Sequence, residues 1–201
     1  MKLKLQDIAQ SIQVGYQARG AVKEDPCGTH RLIQMRNLRD DGTIDPGTLT
    51  GFTPDRSTDQ YTVSEGDVLL QVRGVTHEAG LVSGLPENTL ASNHFYILQI
   101  DTSRVLSAYL TWYIRQPAAQ SHLLKGAQGA GNITVVTRPV FESLQVPVPT
   151  LEAQQQIVSL DRLQWQEQTL TQELLTKRAQ WLSGVSMHVA EGHPISTRNH
   201  A

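Results

Sequence analysis

The sequence predicts an α/β chain of the α+β kind: a mixed, short-stranded domain followed by one long helix of coiled-coil type. Three observations carry this. Through residues 1–148, short apolar runs alternate with Gly, Pro, Asp and Asn turn signals, as in "YTVSEGDVLLQVRG" and "SGLPENTLASNHFYILQI". Near residue 105 the apolar period changes to that of a helix. From Leu151 to about Ser183 there is neither proline nor glycine, and Leu, Gln, Glu, Ala, Lys and Arg, all good helix formers, dominate.

Taken in order, Leu5, Ile8, Ala9 and Ile12 share a helical face, so Leu5–Ile12 reads as a short helix. "HRLIQMRNL" reads as a strand, and "RDDGTID" as a turn, with Asp41-Gly42 suited to positive φ. "GFTPDRSTDQY" is loop. A turn at Glu65-Gly66-Asp67 leads into a buried strand, Val68–Val72, and Phe95–Ile100 is a further strand. Val105, Leu106, Tyr109, Leu110, Tyr113 and Ile114 make a helical stripe that Pro117 interrupts or restarts. A strand at Ile133–Val136, a brief helix from Pro139 and a last strand, Leu144–Val148, complete the first domain, residues 1–148.

Pro147 and Pro149 are read as stopping that strand and fixing the direction of exit, and Thr150 as capping the helix that follows. The helix, within residues 149–184, carries two heptad rows. One is Leu160, Glu167, Leu174 and Trp181. The other is Gln156, Leu163, Leu170 and Lys177. Leu160, Leu163, Leu170, Leu174 and Trp181 are the residues expected to meet a partner helix. The glutamines at 154–156 are candidates for the surface facing a twin or another protein. Residues 185–201 have no periodicity and read as a loose tail.

Bulk properties exclude several functions. Hydrophobic content is 39% and charged content 18%, which suits a folded chain rather than a disordered one. A single cysteine, Cys27, rules out an internal disulfide and fits a reducing, cytoplasmic location. No secretory leader is visible at "MKLKLQDIAQ", and no run of apolar residues reaches membrane-spanning length, so no membrane association is expected. A net charge of −2 argues against coating nucleic acid by charge alone; a nucleic-acid face has to come from arginines segregated to one side.

Catalytic signals are weak. "KGAQGAGN", Lys125–Asn132, lacks the Gly-Lys-Ser/Thr ending of a P-loop and the G-x-G-x-x-G spacing, so no cofactor is expected. The histidines show no zinc spacing, and His188, Glu191 and His193 resemble a ligand set only superficially, so no metal is expected. No G-x-S-x-G elbow is present, and the acidic turns use Asp for local hydrogen bonds. What remains is a group of loops bearing Arg, Asn, Gln and His beside strands: Arg36-Asn37, Arg56, "QVRGVTHE", "SNH" and "GAQGAGNIT". Arg reads guanine, and Asn or Gln reads adenine, through paired hydrogen bonds in the major groove; solvated loops share the same composition.

The order of segments resembles the specificity subunit of type I restriction-modification enzymes, over about one half of such a subunit. The resemblance runs through "LKLQDIAQSIQVGYQ", "HRLIQMRNLRDDGTID", "VSEGDVLLQVRG", "VLSAYLTWYI" and "GAGNITVVTRPVFESLQVPVPTLEAQQQIV". The last segment is the most specific. The family's Pro-x-Leu-x-Glu-Gln-x-x-Ile appears here as Pro149, Leu151, Glu152, Gln154 and Ile157, with Glu and Gln set apart by Ala153.

The resemblance implies a non-catalytic, DNA-reading subunit with one target recognition domain. Its partners would be double-stranded DNA, a methyltransferase subunit and, further, a restriction subunit. One domain and one helix imply a homodimer, or pairing with another half-subunit, that reads a split inverted repeat. The expected DNA-binding residues are Arg36, Asn37, Arg73, His77, Asn93, His94, Lys125, Gln128 and Asn132. A protein-interaction adaptor of the same fold, modulating a restriction or phage-defence complex, is the alternative.

Overall fold

The computed structural model describes residues 1–129 and 133–193, in two units, residues 1–159 and 160–193 within that range. The first unit begins with β1 (Lys2–Lys4), a 3₁₀ turn at Leu5–Asp7 and β2 (Ala9–Val14). Then come β3 (His30–Ile33), β4 (Thr50–Phe52), β5 (Val68–Gln71), β6 (Arg73–Gly74), β7 (Ala79–Leu81), β8 (Thr89–Ala91) and β9 (Phe95–Ile100). Helices α1 (Ser107–Arg115) and α2 (Pro117–Gly126) precede β10 (Thr134–Val135), α3 (Arg138–Glu142) and β11 (Gln145–Pro147), after which α4 runs from Leu151 to Ala190.

A four-stranded sheet ordered β2-β9-β5-β7, antiparallel throughout, forms the centre. Side chains alternate along a strand. Val68 and Leu70 of β5, with Leu98 and Ile100 of β9, therefore enter one core with Tyr109, Leu110 and Phe141. Leu69, Phe95 and Ile97 enter a second core on the other face with Ile33, Val63 and Val82. Burial on both faces explains why Val68, Leu69 and Leu70 are apolar in succession. A second sheet, β4-β3-β8, carries a third cluster of Tyr16, Leu32, Phe52 and Leu90.

β1 pairs antiparallel with β11, Leu3 opposite Val146, and ties the two ends of the unit together. Pro147 is the last residue of β11 and forms the end pair of this ladder opposite Lys2; in a two-stranded ribbon its missing N–H costs no second partner. The Pro147 carbonyl accepts the Tyr109 hydroxyl at 2.8 Å, and the Val148 N–H continues to the Met1 carbonyl at 2.8 Å.

Three expectations are corrected. Leu5–Ile12 is not a helix but a 3₁₀ turn entering a strand. The register shift between Ala9 and Ser11 lets Leu5, Ile8 and Ile12 all reach the same core, so the apolar spacing mimicked a helical period while pairing with β9 decided the backbone. The strand expected over residues 30–38 ends at Ile33, where Met35–Asn37 form a 3₁₀ turn. The long helix passes Ser183 and Gly184 and includes residues 185–190 of the expected tail. It ends in a Schellman arrangement. Gly192, at φ 89°, donates to Val189 O at 2.9 Å, and His193 N–H reaches His188 O at 3.1 Å. Residues 194–201 lie outside the described range.

Other expectations hold. Gly42 sits at φ 81° in its turn, Pro117 restarts a helix as α2, and Thr150 Oγ1 accepts the Ala153 N–H at 3.3 Å at the start of α4. Gln154 differs from its expected surface role, since it is fully buried within the first unit. No helix among the described residues is long and apolar enough to cross a membrane.

Candidate nucleic-acid interface

Strand pairing brings together loops that are distant in sequence. Arg73 pairs with Val135 across β6 and β10, and Val135 bridges on its other side to Gln128, exchanging hydrogen bonds of 2.9 and 2.7 Å. Arg73 and Gln128 therefore flank one residue on adjacent strands. Both side chains are exposed, as is Lys125 in the last turn of α2. The Val72 N–H donates to the His94 carbonyl at 2.8 Å, which places the Asn93-His94 turn beside β6. Asn93 and His94 are half-buried.

His77 supports this patch from below and is not part of its surface. The side chain is fully buried. Its Nδ1 meets the Gln71 carbonyl at 3.1 Å and its Nε2 meets Thr134 Oγ1 at 3.0 Å, while the Gln120 amide donates to its carbonyl at 2.8 Å. Burial holds the imidazole below its ordinary pKa. Thr134 Oγ1 also donates to the Gly74 carbonyl at 3.1 Å, so His77 props the β6–β10 pair through one hydroxyl.

Asn37 is likewise internal. Its Oδ1 accepts the Gln34 N–H at 2.7 Å, and its Nδ2 donates to the carbonyl and hydroxyl of Thr48 at 2.8 and 3.1 Å. These bonds use the amide within the Gln34–Thr50 region, and Asn37 is corrected from reader to support. Arg36 is exposed, with Nη2 donating to Thr50 Oγ1 at 2.8 Å. Asn132 lies outside the described residues.

A second cluster adjoins the first. The Asn93 N–H donates to the Tyr16 carbonyl at 2.8 Å. This approach demands Gly15, because a Cβ there would lie 2.2 Å from the Ser92 carbonyl oxygen. The Arg56 guanidinium stands 5.0 Å from the Tyr16 ring centroid and 5.2 Å from that of Tyr61, and the two rings meet edge to face at 5.6 Å.

The Tyr16 hydroxyl donates to the Asp55 carboxylate, which also accepts the Arg19 N–H at 3.1 Å. The Tyr16 hydroxyl and the Arg19 N–H hold the Asp55 carboxyl below its usual range, and burial followed by the Asp55 bond pushes the Tyr16 hydroxyl up. Arg56 is exposed and cradled by aromatic faces, a pre-organised cation for phosphate or a guanine edge. Sequence named Arg56 among the polar loops but did not find the cradle, because Tyr16 lies forty positions away.

Among the described residues no group of three His, Cys, Asp or Glu side chains is placed to hold a metal, and His188 and His193 stack at 4.7 Å rather than converge on an ion. The arrangement offers hydrogen-bond donors and acceptors on exposed loops held by ladders.

On α4, Leu160, Leu163, Leu170, Leu174 and Trp181 are all at least 57% exposed. Glu167 and Lys177, which share their rows, are exposed too.

Solved structures share this fold. The HsdS subunit from Thermoanaerobacter tengcongensis matches with a TM-score of 0.65 at 16% identity, covering 100% of this chain and 51% of that one. The S subunit of a type I restriction-modification system from M. genitalium matches with a TM-score of 0.54 at 12% identity, covering 80% and 37%. A chain from a structure describing complex assembly and conformational transition of the type I R-M system matches with a TM-score of 0.54 at 16% identity, covering 95% and 43%. The chain thus spans about half, or less, of the length of the structures it matches. No curated protein matches it in sequence. Residues 35–176 match the type I restriction modification DNA specificity domain, most of the chain, and the protein belongs to that family.

Proposed function

We propose that this chain is a sequence-specific DNA-recognition subunit of a type I restriction-modification methyltransferase complex, without catalysis of its own. The observation that carries the reading is the juxtaposition of exposed Arg73 and Gln128 across Val135 in a chain of the DNA specificity family. Arg73, Asn93, His94, Lys125 and Gln128, together with Arg36 and Arg56, form its DNA-facing set. Lys and some Arg side chains sit on phosphates; Gln, Asn and the remaining Arg side chains sit on base edges. Two copies associate through α4, hold a methyltransferase subunit and read a bipartite inverted repeat.

The near-balanced charge of the chain makes its own DNA affinity low, with the methyltransferase supplying further basic surface. Reconstitution tests this. The chain mixed with a type I methyltransferase subunit should shift a DNA duplex carrying its split target, and the methyltransferase alone should not. Equal shifts with and without the chain contradict the proposal.

A further inference from the structure

The two polar residues in the apolar rows of α4 are opposite in charge. In the heptad reading, Leu160, Glu167, Leu174 and Trp181 occupy one core row, and Gln156, Leu163, Leu170 and Lys177 the other. Gly184 and His188 continue these rows within the observed helix. All are solvent-exposed along a helix that stays unbroken through them. A face that buries a lone Glu and a lone Lys is stable only where each meets an opposite charge.

Antiparallel pairing places each row opposite the other row of a second copy. One register satisfies every layer. With the two-fold axis at Gln172, Glu167 faces the second copy's Lys177, and by symmetry Lys177 faces its Glu167. Leu174 then meets Leu170, Trp181 meets Leu163, and Leu160 meets Gly184, where the absent side chain leaves room for the leucine. The outermost layer joins His188 to Gln156, both polar.

Sliding either way by one heptad sets Glu167 against Leu170 or Gly184, and Lys177 against Leu160 or Leu174, leaving charges against apolar groups or a bare glycine. Parallel pairing sets Glu167 against Glu167 and Lys177 against Lys177. Gln168, Thr169, Gln172, Thr176 and Gln180 are polar, while exposed Leu175, Leu182 and Val189 lie beside the Leu174 and Trp181 row and widen the apolar face toward the C-terminal end of the helix.

We propose that residues 160–188 form a self-complementary antiparallel seam in which Glu167 of each copy pairs with Lys177 of the other about a two-fold axis at Gln172. This rests on the reading that α4 joins two copies, antiparallel as the family resemblance implies, and it adds the register. The two copies of Leu160 start about 36 Å apart along the pair, from 1.5 Å of rise per residue.

Charge exchange tests the proposal, read by sedimentation equilibrium of the full chain. Glu167→Lys and Lys177→Glu should each weaken self-association at least about tenfold, and the double exchange should restore it to within about threefold. Single losses without rescue overturn the register while leaving two-copy association intact. A chain that is monomeric throughout and associates only when a methyltransferase is added puts that protein on the seam and overturns both the register and the homodimer.

Spin-label distances give an independent reading that needs no charge variant. In a Cys27→Ser background, labels at Arg162 should stand about 30 Å apart along the pair. About 20 or 40 Å places the axis one heptad-step away, and side-by-side labels mean parallel helices; any of these overturns the proposal.

Discussion

Gln154 accepts the Leu106 N–H through Oε1 at 2.8 Å, while its Nε2 donates to the carbonyls of Arg104 at 2.9 Å and Pro149 at 3.0 Å. One buried amide therefore caps the start of α1 and fastens the first turn of α4 to it. Gln154→Ala orphans the Leu106 N–H and two carbonyls. It should cost about 1–3 kcal/mol in chemical denaturation, since a buried polar group left without its partner carries its full desolvation penalty. Gln155→Ala and Gln156→Ala, at exposed neighbours, should stay within about 0.5 kcal/mol of the parent.

Arg73 and Gln128 should behave as sequence readers. Gln128→Ala should weaken discrimination at one target position by about 1–3 kcal/mol and leave the salt dependence of binding unchanged. Lys125→Ala should weaken binding to all sequences alike and lower the salt slope by about one unit. Competition binding with singly substituted target duplexes at two salt concentrations separates the two behaviours.

Arg56 depends on the shape of its cradle as well as its charge. Arg56→Lys keeps the cation but loses the planar group that stacks on Tyr16 and Tyr61. It should weaken DNA binding nearly as much as Arg56→Ala, and neither should change the melting temperature appreciably, because the guanidinium is exposed. Tyr16→Ala differs. It opens a cavity in the third core cluster and should cost about 3–5 kcal/mol of stability, measured by urea unfolding.

His77 links stability to pH. Burial depresses its pKa in the folded chain below the ordinary value of 6.5. Below pH about 6.5 the unfolded chain binds a proton that the folded chain refuses. Its contribution is therefore complete above that pH and is lost as pH falls toward the folded pKa, at up to about 1.4 kcal/mol per unit. Urea unfolding between pH 7 and 5 should show a shallower decline for His77→Gln than for the parent, once offset to equal stability at pH 7.

The elements legible in the sequence were those whose signal is local. Phe95–Ile100 stands as a strand because its alternating apolar residues enter two cores, and Pro117 restarts a helix because its fixed φ suits a first turn. Leu5–Ile12 misled because a bulged strand put residues at helical spacing into one core. Among the polar loop residues, composition does not reveal which side chains turn inward. Asn37 and His77 resemble Arg73 as candidate DNA contacts in sequence, yet they hold Thr48 and Thr134. The Arg56 cradle escaped because its rings come from Tyr16 and Tyr61 on separate segments. In sequence Gln154 reads like the two glutamines that follow it, and only the packing of α1 distinguishes them.

Methylome sequencing of cells carrying the methyltransferase subunit, with this chain, without it and with its Arg73→Ala variant, tests the central claim most directly. The account predicts a methylated split motif that requires the chain and that loses strength or fidelity with Arg73→Ala. The same motif at the same occupancy with the chain absent would contradict it.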